Sequence, residues 1–184
     1  MIAGLILKDK VGGKSFVAFL DEGLECFSVN ENQEIVELFE EKEPDIVAAN
    51  VGLEQSQEEL TKQEEELQDA GYTFTPNSHR EKLVKRLDAL KAQLTHETGL
   101  QPEFIRFEPQ ISARELAVDG DEALESYGLD VSDIGSAGEF DAALGCVTGR
   151  FYQENQYVEH GVVVPEAVRE EDPTESDDGL DPRA

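Results

Sequence analysis

The chain opens with three short apolar runs. "MIAGLIL", "SFVAFL" and "LECFSV" each have a strand's length, and Gly12-Gly13 and Asp21-Glu22-Gly23 supply tight connections between them. The spacing predicts a three-stranded antiparallel meander. In "ENQEIVELFEEKE" the period changes. Ile35, Val36, Leu38 and Phe39 fall on one helical stripe with acids opposite, and Asn30 stands where an N-cap is needed. "DIVAAN" is apolar on both faces, as a central strand covered by helices is, and following a helix it is expected to return parallel to the first strand.

Beyond that strand the pattern weakens. "EQSQEELTKQEEELQDAG" has strong helix propensity but only Leu60 and Leu67 as spaced apolar anchors, which predicts an exposed helix ending at Gly71. "YTFTP" reads as an extended link. Leu83, Leu87, Leu90 and Leu94 then repeat at helical spacing until Gly99 closes the helix. "EFIRFEP" predicts a fifth strand stopped by Pro109, and "QISARELAV" and "DEALESYG" predict short helices. A helix over residues 137–155 has a flank of small residues, including Ala142, Gly145 and Gly149, that lets it lie close against a sheet. "GVVVP" is a last short strand. Residues 1–168 are therefore expected to form one α/β domain, a mixed sheet of five to six strands flanked by helices. The polar, Pro-punctuated residues 169–184 are expected to be a disordered acidic tail.

Charge changes the picture more than composition does. The chain carries 42 acidic residues against 15 basic ones, a formal net charge of -27. Such a surface repels nucleic-acid phosphates at long range. An acidic partner-binding surface or a nucleic-acid mimic would use it. Adaptation to a salt-rich cytoplasm also explains it, because carboxylates keep a protein hydrated there and a Debye length of about 3 Å at molar salt screens their repulsion. The acids run the length of the chain and Lys is scarce, which favours salt adaptation. Cys26 and Cys146 sit in apolar contexts without CxxC spacing and read as buried free thiols. No run approaches the roughly 18 apolar residues of a membrane span, and "MIAGLILK" lacks the parts of a signal peptide, so the expected location is the cytoplasm.

Candidate chemistry is sparse. There is no P-loop, GxGxxG or zinc spacing, and His79, His96 and His160 are scattered among turns and helix ends. One basic cluster stands out: His79, Arg80, Lys82, Lys85, Arg86 and Lys91 on the long helix. It reads either as a solvated face paired with neighbouring acids or as a surface that docks nucleic acid at high salt.

Two segments carry a family resemblance. "GEFDAALGCVTGRFYQENQYVEHGVVVPE" and "ELQDAGYTFTPNSHREKLVKRLDAL" resemble the last and middle parts of a family of predicted nucleases of ribonuclease H-like fold (domain of unknown function 429). The element order read above is also that of the ribonuclease H-like fold. The resemblance implies phosphodiester hydrolysis on two divalent cations, Mg or Mn, about 4 Å apart and held by carboxylates at strand ends. Carried over residue by residue, the first-strand acid falls at Ile6, the fourth-strand acid at Asn50 and the fifth-strand acid at Arg106, and only Asp141 is kept. Near a helix N-terminus, Asp141 is explained by the helix dipole as well as by catalysis. The expectation is a degenerate centre in a binding or scaffolding module without a cofactor. Asn50 and Arg106 would line its pocket, with Arg106 free to pair with Asp141. The opposing expectation is a divergent metal-dependent nuclease with Asp141 and Glu108 as catalytic groups and Asp141, Glu108 and Glu54 as metal ligands. Glu108 qualifies because, two residues beyond Arg106, it shares that residue's face.

Overall fold

In a computed structural model describing residues 1–9, 13–53 and 58–167, the three apolar runs pair as the spacing predicts. The expected tail at 169–184 lies outside the described residues. Strands β1 (Ile2–Ile6), β2 (Ser15–Leu20) and β3 (Leu24–Val29) form an antiparallel meander with Gly4 opposite Ala18 and Ala18 opposite Cys26. Helix α1 (Asn32–Lys42) carries the chain back to β4 (Ile46–Ala49), which lies parallel to β1. Its cap is Glu31, not Asn30 as expected. The Glu34 carboxylate accepts from the N–H groups of Asn30 and Glu31 at 2.7 and 2.9 Å, so a side chain inside the helix satisfies the entry.

Helix α2 (Lys62–Asp69) starts at Thr61, later than expected, and α3 (Asn77–Thr98) is the long helix, closed by Gly99 in the left-handed region at φ 75°. Strand β5 (Glu103–Arg106) adds parallel to β4, giving the order β3-β2-β1-β4-β5. Pro109 begins α4 (Pro109–Glu115) as well as ending the strand, since its missing N–H costs nothing at a first helical position. Helix α5 (Asp121–Leu124) and a single 3-10 turn lead to α6 (Ala137–Gln153). "GVVVP" is a strand, but it does not extend the main sheet. As β7 (Val163–Pro165) it pairs with β6 (Tyr157–Glu159), a strand the pattern did not reveal, in a separate hairpin.

Strand alternation divides the core. Leu5, Val17 and Val47 face α1 and α3, meeting Ile35, Phe39 and Leu90. Ile6, Ala18 and Ala48 face α6. Both sheet faces are thus covered, which is why β1 and β4 are apolar throughout. The small flank of α6 lets it sit nearly on the backbone of β1. A Cβ on Gly4 would stand 1.8 Å from the carbonyl oxygen of Ala142, and one on Gly145 would stand 3.0 Å from the Cα of Gly4. Close approach of two backbones is the constraint here.

That contact is testable. Gly4→Ala is expected to lose about 3 kcal/mol or more in urea unfolding, because backbone has to move to accept the methyl. Gly23→Ala, in open space, is expected to stay within roughly 0.5 kcal/mol of the parent.

Candidate functional site

Parallel register sets the geometry at the carboxyl ends of the strands, where ligands of such sheets bind. Leu5 lies beside Ala49, and Ala49 beside Arg106, so Ile6, Asn50 and Phe107 occupy the next level. Ile6 and Phe107 are buried on the α6 side. Arg106 is in register with Ala49, whose side chain packs on the α3 side, so its own side chain leaves the sheet on that side.

Asn50 acts as a piece of backbone. Its Oδ1 accepts from the N–H of Leu7 at 2.9 Å and its Nδ2 donates to the Leu7 carbonyl at 3.4 Å, just beyond the main-chain bond from Asn50 N to the Leu5 carbonyl at 3.1 Å. The carboxamide thereby adds a rung between β4 and the end of β1. Asp141, half-buried on α6, stands on the other side of the sheet from Arg106. Burial raises its carboxyl above the ordinary range, and Lys8 works against the rise.

The expected pairing of Arg106 with Asp141 is replaced by a different one. Arg106 Nη1 donates to Glu64 Oε1 at 2.6 Å and Nη2 to Glu108 Oε1 at 3.0 Å, and the guanidinium carbon lies 5.9 Å from the centre of the Phe74 ring. Strand alternation is the reason, since it sends Arg106 toward α2 and α3. Glu108 does share that side, as expected, but it serves the arginine.

Glu64 is the residue the pattern missed. It comes from the helix expected to be exposed, yet its side chain is fully buried. Its position follows from a capping box. Thr61 Oγ1 accepts from the N–H of Glu64 at 3.2 Å, and Glu64 Oε2 accepts from the N–H of Thr61 at 3.0 Å. Arg80, from the start of α3, adds a two-pronged contact, Nη1 to Oε1 at 2.7 Å and Nη2 to Oε2 at 3.0 Å. Thr61-x-x-Glu64 was the legible signal for a helix start. That the same carboxylate would receive two arginines had no signal in the chain.

Electrostatics follow from this packing. Burial alone would raise the Glu64 carboxyl, but hydrogen bonds from Arg80 and Arg106 outweigh it and hold the group at about 2. For Glu108 burial prevails and its carboxyl is raised, with Arg106 pulling partly back. The Nε–H of each arginine is buried without a partner among the described residues, being the donor left over once the terminal nitrogens face carboxylates.

These donors do not fit a pair of divalent cations. Ile6 offers none, the Asn50 amide is bound to Leu7, and Arg106 brings a positive charge. Asp141 and Glu108 turn to different sides of the sheet. No three His, Cys, Asp or Glu side chains among the described residues are grouped to hold a metal ion. Glu54, the third expected ligand, lies outside the described residues. What the site offers is a cleft of about 790 Å³ along β5, lined among others by Glu64, Arg80, Phe104, Arg106, Tyr152 and Val163.

The arginines of the basic cluster are turned to internal use. Arg86 donates to the carbonyl of Lys8, to Ser15 Oγ at 3.0 Å, to the Asn30 carbonyl at 3.2 Å and to Asn32 Oδ1 at 3.0 Å. It thus ties β1, β2 and the entry to α1 onto α3. Lys85 pairs with Glu81 at 2.6 Å, and Lys91 lies over the Phe104 ring at 4.8 Å. His79 and Lys82 are exposed.

The ionic cluster predicts a pH dependence with a definite sign. A depressed carboxyl contributes stability above its unfolded value that is lost as pH falls through its folded value. Glu64→Gln is expected to cost about 3–5 kcal/mol at pH 7 in chemical denaturation, because Arg80 loses its carboxylate partner and buried Arg106 is left with Glu108 alone. Between the ordinary 4.5 and about 2 the gap to the parent is expected to close. A gap that is constant with pH would show that Glu64 acts by shape alone.

No family model matches the chain, and no curated protein matches it in sequence. Among solved structures it is similar to T. thermophilus RuvC in complex with a Holliday junction substrate, at 15% identity over 89% of this chain and 98% of that one, with a TM-score of 0.54. Thermus thermophilus RuvC alone gives the same identity and coverage with a TM-score of 0.49. The likeness to the junction complex, together with three antiparallel strands followed by two parallel ones under helices, places this chain in the ribonuclease H-like fold.

Proposed function

We propose that the chain is a non-catalytic ribonuclease H-like domain from a salt-adapted protein, working as a binding or scaffolding module. The observation that carries this reading is the engagement of Arg106 by Glu64 and Glu108 at the carboxyl end of β5. Where a nuclease of the two-cation type needs converging carboxylates, a guanidinium neutralised by its neighbours supports binding and opposes divalent cations. Ile6 in the apolar core and Asn50 bonded to backbone support the same reading. The alternative, a divergent nuclease acting through Asp141 and Glu108 with Mg or Mn, asks two carboxylates on different sides of the sheet to converge.

A second reading concerns nucleic acid bound without being cut. The solved relative holds a Holliday junction, and His79, Lys82 and Lys85 lie exposed on α3. At molar salt the repulsion from a net charge of -27 would be screened to within about 3 Å.

Branched and linear DNA incubated with Mg or Mn, at low and at molar salt, is expected to stay intact. Metal-dependent cleavage that Asp141→Ala abolishes would reverse the assignment. For the second reading, Lys82→Glu with Lys85→Glu is expected to weaken DNA binding and flatten its salt dependence. Arg86 is left in place in this test because it clamps the fold. DNA retention that does not change in the double variant would remove α3 as the docking face.

A further inference from the structure

Strand β5 ends the sheet, and no strand among the described residues pairs with its outer side. Alternate residues of a parallel strand face the neighbouring strand. The N–H groups of Glu103 and Phe107 donate to the carbonyls of Asp45 and Ala49 at 2.8 and 3.0 Å. Phe104 and Arg106, at the intervening positions, therefore aim their main-chain N–H and C=O outward. Exposed edges of this kind are normally blunted by Lys, Pro, a bulge or a covering element. This one is instead the floor of the cleft, which all four residues of β5 line.

The cleft has the shape of a slot. One wall is the start of α2 and the first turns of α3, with Thr61, Arg80 and Val84. The other is Tyr152 of α6 together with Gly161 and Val163 of the hairpin. The hairpin turn is seated on α2: His160 Nε2 lies 3.0 Å from Glu66 Oε2, and a Cβ on Gly161 would stand 3.3 Å from the Cβ of Gln63. The two walls are thus held together at one end. Such a slot admits a chain in extended conformation, with hydrogen bonds from its floor and alternate side chains directed to the two walls.

Charge selects the occupant. The arginines lining the slot are engaged, half-buried Arg80 by Glu64 and buried Arg106 by Glu64 and Glu108. The exposed charges that line it include the carboxylates of Glu159 and of Glu103, which also accepts from the Tyr152 hydroxyl, while Val84, Phe104 and Val163 supply apolar surface. We propose that the free edge of β5 captures an extended segment of a partner protein, rich in Lys or Arg and interspersed with apolar residues, by strand addition. This names the partner class for the binding role above and rests on that reading only in taking the cleft as the working surface.

The probe is a labelled octapeptide of alternating Lys and Val, followed by fluorescence anisotropy at low and molar salt. It is expected to bind, and its Glu-Val counterpart to bind at least tenfold more weakly. N-methylation of alternate amides is expected to abolish binding in one phase and spare it in the other, because one set of amides faces β5. This arm leaves the protein untouched, so it cannot fail through misfolding. Glu103→Gln with Glu159→Gln is expected to weaken the Lys-Val peptide severalfold. Failure of both Lys-Val and Arg-Leu peptides to bind, or binding indifferent to both N-methylated phases, would overturn the proposal. Single-stranded DNA that competes for the slot and outbinds the peptide would overturn it as well. The nuclease assay has its own readout, so peptide capture can fail while cleavage stays absent, and cleavage can arise while capture stands.

Discussion

A carboxylate has room for about four hydrogen bonds, and Glu64 receives four: one from the N–H of Thr61, two from Arg80 and one from Arg106. Three elements meet in that group. Thr61 sets the start of α2, Arg80 belongs to α3 and Arg106 ends β5. A charge taken out of water is costly unless it is paired and every lone pair is used. With these elements where they stand, all four donors reach Glu64. The short, polar α2 has little apolar surface to bury beyond Leu67, and the Glu64 side chain joins the Glu66–His160 contact in holding it in place. Phe74 under the Arg106 guanidinium and Tyr72 under that of Arg114, 5.0 Å away, complete the seat.

The same arrangement shapes the carboxyl end of the sheet. Strand alternation puts Arg106 on the α3 side, where Glu64 holds it, and leaves the α6 side of the strand ends to Ile6, Phe107 and the Asn50 carboxamide. The first two belong to the core and the third serves as backbone. Asp141 is thereby separated from both glutamates. The close seating of α6 on Gly4 depends on none of these side chains. The seating of α6 on the sheet is therefore separate from the side chains at the strand ends. A ribonuclease H-like architecture and the presence of cation ligands are independent properties of this chain.

The fold was largely legible because apolar periodicity is a local property. The meander, α1, β4, α3 and α6 each announce themselves by spacing that one element imposes on its own residues. Strand β6 did not, since "YVE" is three residues long with its side chains mostly in solvent. The site was less legible. That Arg106 and Glu108 share one side of the sheet could be read from strand alternation, whereas the cluster they form with Glu64 could not. Thr61-x-x-Glu64 marks Glu64 as a helix cap, but among 42 acidic residues nothing local shows that it, and not Glu65 or Glu66, would receive arginines. The difference lies in two arginines, 16 and 42 residues away along the chain, that converge on one of the three. The basic cluster misled for the same reason: Arg80 and Arg86 share a helix with Lys82 and Lys85, yet the first two turn inward to bind carboxylate, hydroxyl and carbonyl oxygens. Arginine's planar fork suits such sites better than a lysine ammonium does.

That division of labour bears on what an acidic protein can do with so few cations. With 15 basic residues in 184, each arginine committed to the interior removes positive charge from the surface. Arg80, Arg86 and Arg106 are each held by buried or half-buried oxygens, so the exposed groups around the cleft are left predominantly negative. A surface of that sign in molar salt gains little from long-range attraction, because screening confines it to a few ångströms. Recognition there has to come from contacts that salt does not weaken: main-chain hydrogen bonds and apolar burial at short range, with charge acting only on a partner already in contact. The edge of β5, with which no strand among the described residues pairs on its outer side, provides main-chain groups of that kind at the floor of a walled slot.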